Sequence, residues 1–374
     1  MREIKTFVWA LCAALGSWLM TPDVAIAETT LRVVMHSDIK ILDPIWANAY
    51  ITRDHGYMIY DTLFALDEKG EIQPQMVGAY EVSADKLTYT LTLRDGLEWH
   101  DGLPVTAADC IASIKRWSAR DAAGQKMMSF VAAIEAVNDK TFSIKLKEPT
   151  GLVLIALSKP SSNVPFMMPK RVAETDPGVQ ISEFVGSGPF IFKKDEWKPG
   201  DKAVYVKNTR YIPRAEPASG LAGGKVVKID RVEWRAMSDM QQILTALKAG
   251  ELDYVQVPKH DLLPLLKTDP KVTLWNANPL GNQLVFRPNT TLPPFDNPKI
   301  RQALWYAFNQ QDFLDAAIGN PDYYKVCKAM FGCGTALASD KGMDGMLESN
   351  FAKARALLKA VSYTHLTLPT NREV

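Results

Sequence analysis

The chain has 374 residues, and its 43 basic and 42 acidic side chains nearly cancel to a formal net charge of +1. This length predicts two domains, and the lack of any block of like charge argues against binding to nucleic acid or to an anionic membrane. The sequence contains no HExxH, paired CxxC or GxxxxGKS/T motif, so it offers no common signature of metal or phosphate chemistry. We therefore expect no cofactor.

The first 27 residues have the pattern of a secretory signal peptide. Arg2 and Lys5 form a short basic start, residues 7–20 are mostly apolar, and Ala25 and Ala27 flank a small-x-small cleavage site. The apolar run is too short to indicate a membrane span. The sequence therefore predicts an exported, periplasmic protein whose mature chain starts near Glu28.

Residues 31–35 form a short apolar run that predicts the first buried strand, followed by a polar loop at residues 36–40. Further on, residues 49–66 carry Tyr57, Tyr60, Leu63 and Phe64 at helical spacing. This spacing predicts a helix whose aromatic stripe packs in the core.

Apolar and polar residues alternate from residue 86 to 94, which is typical of a strand with one buried face. Two turns follow, and then Thr106 has the position of a helix N-cap with Asp109 three residues on, as in a capping box. Cys110 lies on the apolar face of the predicted helix, where a free thiol acts as a small hydrophobe. Residues 141–146 repeat the strand pattern, so two hairpins and one helix predict a small α+β subdomain.

The Gly186-Ser187-Gly188 sequence predicts a tight turn before a strand at residues 189–193. It does not fit a GxSxG nucleophile elbow, because the two glycines directly flank the serine. The later part of the chain predicts the following elements: strands at residues 228–235, 252–255 and 284–286, and helices at residues 239–249, 298–308 and 350–361.

Cys327 and Cys333 lie six residues apart with Gly332 and Gly334 between and after them. In an oxidising compartment this spacing favours a local disulfide over a redox or zinc site. Two unpaired thiols are the other interpretation.

Three segments of the chain resemble a known family. RDGLEWHDGLPVTAADCIASIKRW (residues 94–117) is similar to the signature of the family 5 extracellular solute-binding proteins, and ALKAGELDYV and PPFDNPKIRQALWYAFN are similar to later parts of that family. The resemblance implies a mixed α/β, two-lobe periplasmic-binding-protein fold with an extra small α+β subdomain. It also implies a monomer that captures a peptide or peptide-like solute and delivers it to the permease subunits of an ABC importer.

The order of these motifs implies a domain organisation. After the signal peptide at residues 1–27, we expect a first lobe at residues 28–275, which includes the small subdomain at about residues 67–185. Residues 276–361 would form part of a second lobe. The resemblance stops near residue 361, and we interpret residues 362–374 as a non-native tail.

Two loops are the candidate ligand-binding segments, since both are predicted at strand ends near the crossover between lobes, and the family resemblance implies that the first of them lines the cleft. The candidate residues are Ser37, Asp38, Ile39, Lys40, Asn278, Gly281 and Asn282. We assign no catalytic residue and no metal ligand.

Two other functions remain open from the sequence. A secreted hydrolase could use the His100–Asp101 pair or an unrecognised carboxylate. A periplasmic carrier of a nickel or haem complex would bind metal, although the five histidines are scattered along the chain.

Overall fold

The computed structural model describes residues 28–335 and 337–363. The expected signal peptide at residues 1–27 lies outside these residues, as does the expected non-native tail apart from Ser362 and Tyr363. No helix in the two described segments is both long and apolar enough to cross a membrane.

The described residues form a mixed α/β structure, as the sequence predicts. The strands are β1 (Thr30–Val34), β2 (Phe64–Leu66), β3 (Ile72–Pro74), β4 (Val77–Val82), β5 (Thr88–Leu93), β6 (Val131–Ala136), β7 (Thr141–Leu146), β8 (Phe190–Phe192), β9 (Lys202–Lys207), β10 (Arg231–Arg235) and β11 (Tyr254–Val255). The α-helices are α1 (Tyr50–Ile59), α2 (Ala107–Arg120), α3 (Ala122–Phe130), α4 (Leu152–Leu157), α5 (Lys170–Ala173), α6 (Met240–Ala249), α7 (Leu263–Lys267), α8 (Pro298–Ala307), α9 (Gln310–Ala317) and α10 (Phe351–Lys359).

The chain divides into two compact units whose segments alternate along the sequence. Unit 1 contains the residues up to Leu31 together with residues 41–196 and 204–233. Unit 2 contains residues 32–40, 197–203 and 234 onwards.

Unit 1 contains the predicted small subdomain, built on a four-stranded antiparallel sheet of order β4-β5-β7-β6. In β5 the residues alternate between half-buried and buried, so Tyr89, Leu91 and Leu93 face the core while the threonines between them face outward. The predicted hairpins are therefore confirmed. Phe142 and Ile144 of β7 complete the buried face beside β5.

Helix α2 begins with the predicted capping box. Thr106 Oγ1 accepts from the Asp109 backbone N–H at 3.3 Å, and Asp109 Oδ2 accepts from the Thr106 N–H at 2.8 Å. The Asp109 carboxylate also accepts from the Lys170 N–H at 2.6 Å, which ties the start of α5 to the start of α2. Cys110 and Trp117 are fully buried along the same helix. This stretch of the family-like motif therefore builds the core of unit 1.

The helix predicted over residues 49–66 is shorter than expected. Helix α1 ends at Ile59, and Tyr60 has an extended backbone. Phe64 lies in β2, which pairs with β3, although its spacing from Tyr60 suits a helix. Buried apolar residues at three- and four-residue spacing therefore do not require one continuous helix, because a helix and the strand that follows it can together produce the same spacing.

A tight turn in unit 1 has to be built from glycine. A Cβ atom on Gly186 would lie 1.7 Å from the Ile59 carbonyl oxygen, and one on Gly188 would lie 2.7 Å from the Ile59 carbonyl carbon. The Gly188 N–H donates to the Ile59 oxygen at 2.9 Å. The turn leads into β8, which pairs antiparallel with β9. The predicted turn and strand are confirmed, and Ser187 is a buried turn residue.

In unit 2 the pair β1 and β11 is parallel, with Val33 opposite Tyr254 and Val34 opposite Val255. Helix α6 covers this pair, because Ile243 packs with Val34 and Leu252 in one buried cluster. The helix has the predicted ends.

Asp239 caps the N-terminus of α6 by accepting from the Gln242 N–H at 2.8 Å. Gly250 ends the helix with a φ of 77°, in the left-handed region that favours glycine.

Later in unit 2, α8 packs against α10, with Ile300, Ala303 and Ala354 buried. The predicted strand at residues 284–286 is wrong. Leu284 and Val285 are 75% and 72% exposed, and the structure shows no ladder for this run within the described residues. An apolar run becomes a strand only where a neighbouring strand accepts its backbone hydrogen bonds, and the sequence alone does not reveal that neighbour.

Candidate functional site

The two parallel strands of unit 2 place polar groups from distant parts of the chain at one edge. Since β1 and β11 run in parallel, the residues that follow them lie at the same end of the pair. In open α/β sheets this carboxyl end is where ligands bind. We call the residues gathered there, His36–Lys40, Gly200 and Gln256, the β1–β11 edge.

Gln256 links the two strand ends. Its backbone N–H donates to the Val34 carbonyl at 2.9 Å, which extends the pairing one residue beyond β11. Its side-chain Oε1 lies 2.9 Å from the His36 backbone nitrogen and 2.7 Å from His36 Nδ1. The loop after β1 is therefore held against β11 by one side chain.

The predicted loop residues differ in exposure. Ser37 and Lys40 are exposed, Asp38 is half-buried, and Ile39 is buried with 3% of its surface exposed. Asp38 Oδ2 accepts from the Gly200 N–H at 3.0 Å. Ile39 thus anchors the loop, and the polar side chains on either side of it are left available at the edge. Their contact with a solute stays a prediction.

The second predicted segment forms a local turn. Asn278 donates through Nδ2 to the Gly281 carbonyl at 2.9 Å and to Asn282 Oδ1 at 3.2 Å, and the Gly281 N–H donates to the Asn278 carbonyl at 2.9 Å. All three residues are exposed. No strand precedes or follows them within residues 268–297, so the strand end on which this prediction rested is absent. The hydrogen bonds of this turn run within the segment itself, among Asn276, Asn278, Gly281 and Asn282.

A disulfide joins Cys327 and Cys333, with their Cα atoms 5.8 Å apart. Gln310, the first residue of α9, accepts from the Cys327 N–H and donates to the Cys327 carbonyl, both at 2.9 Å. The disulfide and these two hydrogen bonds fix a small loop on unit 2. In unit 1, Cys110 is buried and free, and burial raises the pKa of its thiol.

The His100–Asp101 pair is engaged in structural contacts. His100 Nδ1 accepts from the Gly186 N–H at 3.1 Å, and His100 Nε2 donates to the Gly188 carbonyl at 3.2 Å. Burial lowers the pKa of His100 to about 4. Asp101 forms an ion pair with Arg171 at 2.7 Å. With both ring nitrogens bonded to the backbone, His100 has no free nitrogen with which to take a proton from a nucleophile.

Within residues 28–335 and 337–363, no three His, Cys, Asp or Glu side chains are grouped so that they could hold a metal ion.

Sequence reasoning missed Gln256 and Gly200, whereas it placed His36 in the loop at residues 36–40. Gln256 lies 220 residues from its partner His36, so no local pattern could connect the two. The one signal for Gly200 was the Pro199-Gly200 pair, which predicts a turn but not its partner.

Two solved structures identify the fold. A periplasmic binding protein named MoaA from A. tumefaciens, in complex with mannopinic acid, aligns with a TM-score of 0.69 and 23% identity over 90% of this chain and 66% of that chain. The periplasmic binding protein DppA from Helicobacter pylori, in complex with the peptide STSA, aligns with a TM-score of 0.67 and 22% identity over 90% of this chain and 67% of that one. At this identity the likeness concerns the fold, which is the two-lobe fold of periplasmic binding proteins.

The sequence relatives define the family. The model of the bacterial extracellular solute-binding proteins, family 5 middle, matches residues 71–369. The probable peptide ABC transporter periplasmic-binding protein y4tO of Sinorhizobium fredii is 41% identical over 359 residues, which is 94% of this chain. The glutathione-binding protein GsiB of Escherichia coli is 29% identical over 296 residues, or 78% of this chain. The chain belongs to the family 5 bacterial extracellular solute-binding proteins. It spans 67% of the length of y4tO and 54% of the length of GsiB.

Proposed function

We propose that this protein captures a peptide or peptide-like solute and delivers it, chemically unchanged, to an ABC importer. The observation that carries the proposal is the family match over residues 71–369 together with 41% identity to a relative named as a peptide-binding component. GsiB, the second type of relative, is named for binding glutathione, which is itself a peptide-like molecule.

The cellular setting forms part of the same proposal. The protein acts in the periplasm as a monomer, residues 1–27 direct its export, and the permease subunits of the importer are its protein partners. The division into a first lobe at residues 28–275 and a second-lobe segment at residues 276–361 belongs to the proposal as well. The exported location of the family supports this setting.

The β1–β11 edge is the part of unit 2 that we assign to solute contact. Its polar side chains are exposed or half-buried, and its backbone is held in place by Gln256, the buried Ile39 and the Gly200 N–H. A site of this kind orients a solute through a few placed hydrogen-bonding groups while the solute covers neighbouring apolar surface.

A hydrolase fits this geometry less well. The His100 ring is committed to the glycine turn and Asp101 to Arg171, so the pair that the sequence suggested as catalytic contributes to the packing of unit 1. These structural contacts account for His100 and Asp101 without a catalytic role for either residue.

The proposal is tested by thermal unfolding of the purified protein with three probes: glutathione, the peptide Ser-Thr-Ser-Ala and the dipeptide Met-Leu. A ligand at about 100 times its dissociation constant stabilises the folded state by about 2.7 kcal/mol, which raises the unfolding temperature by several degrees. The bound probe is then released by denaturation and weighed by mass spectrometry. Recovery of intact probe is the expected result, and conversion of a probe to products would show an enzyme.

A further inference from the structure

The contact between His36 and Gln256 determines which nitrogen of the neutral His36 ring carries the hydrogen. One oxygen, Gln256 Oε1, lies within hydrogen-bond distance of two nitrogens of the same residue, the backbone nitrogen at 2.9 Å and ring Nδ1 at 2.7 Å. The inference drawn from this contact rests on the proposed function, because it concerns how the β1–β11 edge recognises a solute.

The chemistry of the contact fixes the protonation of the ring. A backbone N–H can only donate, so the amide atom that faces it must be the oxygen and not the nitrogen of the Gln256 side chain. That oxygen can only accept, so His36 Nδ1 must carry a hydrogen. In the neutral imidazole, Nε2 then has a free lone pair and acts as an acceptor.

The same contact fixes where the ring lies. The backbone and the ring of His36 are bonded to one oxygen, and the backbone of that glutamine is bonded in turn to Val34 of β1. The His36 side chain is exposed, and no described residue forms a hydrogen bond with its Nε2. A ring held in this way loses little conformational entropy when it binds a ligand.

The Asp38 carboxylate, like His36 Nε2, is a hydrogen-bond acceptor. Asp38, two residues after His36, presents a carboxylate of which Oδ2 already accepts from the Gly200 N–H at 3.0 Å. A carboxylate has further acceptor positions, and it cannot donate when ionised. The His36 ring nitrogen and the Asp38 carboxylate therefore both offer acceptors at the β1–β11 edge.

We propose that His36 contacts the solute directly, with Nε2 accepting a hydrogen bond from an N–H group of the solute, and that Gln256 is the positioning residue that fixes the tautomer required for this contact. The chemical class selected at this position is a solute with an amide or amine donor. A solute that presents only acceptors, such as a carboxylate, is disfavoured there.

Substitutions at His36 separate the two ring nitrogens. In His36→Asn the side-chain amide lies near the position of Nδ1 and the Nε2 acceptor is lost, whereas in His36→Gln an amide oxygen reaches the position of Nε2. One net hydrogen bond corresponds to about a fivefold change in affinity. Calorimetric titration with the best of the three peptide probes should therefore show binding about fivefold weaker for His36→Asn, and within about twofold of the parent for His36→Gln.

Nitrogen-15 NMR of the imidazole rings supplies a readout that a purely structural role would not change. In the parent protein the His36 ring should show a protonated Nδ1 and an unprotonated Nε2, and the Nε2 signal should shift when the probe binds. In Gln256→Glu a carboxylate still accepts from both donors, so the tautomer is retained. In Gln256→Leu the ring should become a mixture of tautomers, and affinity should fall as in His36→Asn.

The possible failures are distinguishable. Absence of binding by all three probes counts against the proposed function. Binding of a probe with equal affinity by the parent and His36→Asn, or an Nε2–H tautomer in the parent, overturns the role of His36 and leaves the proposed function intact. Equal unfolding temperatures of the ligand-free variants show that a loss of affinity is not a loss of folding.

Discussion

Replacement of the buried His55 should make the protein more resistant to acid. His55 lies on α1 with no exposed surface, its Nδ1 is 2.9 Å from the Tyr205 hydroxyl, and the edge of its ring meets Phe192 at a centroid distance of 5.0 Å. Burial lowers the pKa of His55 to about 3 from 6.5. The folded protein therefore keeps this ring neutral, whereas the unfolded chain protonates it below about pH 6.5.

The size of the effect follows from proton linkage. Because the folded pKa is lowered, the unfolded state binds one more proton than the folded state between about pH 6.5 and about pH 3, and stability falls as the pH drops through this window. Each pH unit costs about 1.4 kcal/mol, so the change from about pH 6.5 to about pH 4.5 should cost about 3 kcal/mol through His55 alone.

The assay is urea unfolding followed by circular dichroism at about pH 7 and about pH 4.5, for the parent and for His55→Phe. The phenylalanine fills the aromatic site without a titratable group, so the difference in unfolding free energy between the two pH values should shrink by about 3 kcal/mol. Tyr205→Phe is the matched control, because it removes the hydrogen-bond partner and keeps the histidine. An equal acid sensitivity of the parent and His55→Phe would show that His55 does not contribute to acid unfolding.

Two further substitutions test the packing of unit 1. Gly186→Ala should destabilise the protein by about 3 kcal/mol or more, because the new Cβ would lie 1.7 Å from the Ile59 oxygen. Gly332→Ala is the control: its new Cβ would meet no atom closer than 3.9 Å, so this variant should change stability by less than about 1 kcal/mol. Equal unfolding curves for the two variants would show that the turn can move aside. Thr106→Ala should cost about 1 kcal/mol through loss of the cap on α2, and Thr106→Ser should restore most of it; an unchanged unfolding midpoint in Thr106→Ala would show that the capping box contributes nothing.

Local features of the fold could be predicted because their causes lie close together in the sequence. The alternation in β5, the capping box of α2 and the Asp239 and Gly250 ends of α6 each depend on residues within one element. Helix α9 was not predicted, although a signal for its N-terminus was present in the sequence. Asn309 precedes that helix, and its side chain accepts from the N–H three residues further on.

Features that depend on distant partners could not be predicted. The strand expected at residues 284–286 requires a neighbour that the structure does not supply within the described residues. The loop after β1 was predicted as a binding segment because of its place after a buried strand, and its geometry depends on Gln256, more than 200 residues away. The loop residues of the β1–β11 edge could therefore be read from the sequence, whereas the contributions of Gln256 and Gly200 and the hydrogen-bond roles of the loop could not.

Calorimetric titration of the purified protein with glutathione, Ser-Thr-Ser-Ala and Met-Leu determines whether the protein is a receptor for peptide-type solutes. At least one probe should bind with a stoichiometry of one and a dissociation constant on the order of micromolar or lower, and the probe should be recovered intact. Absence of binding by every probe at about millimolar concentration, or recovery of cleaved probe, would contradict the claim that this protein is a peptide-type solute receptor.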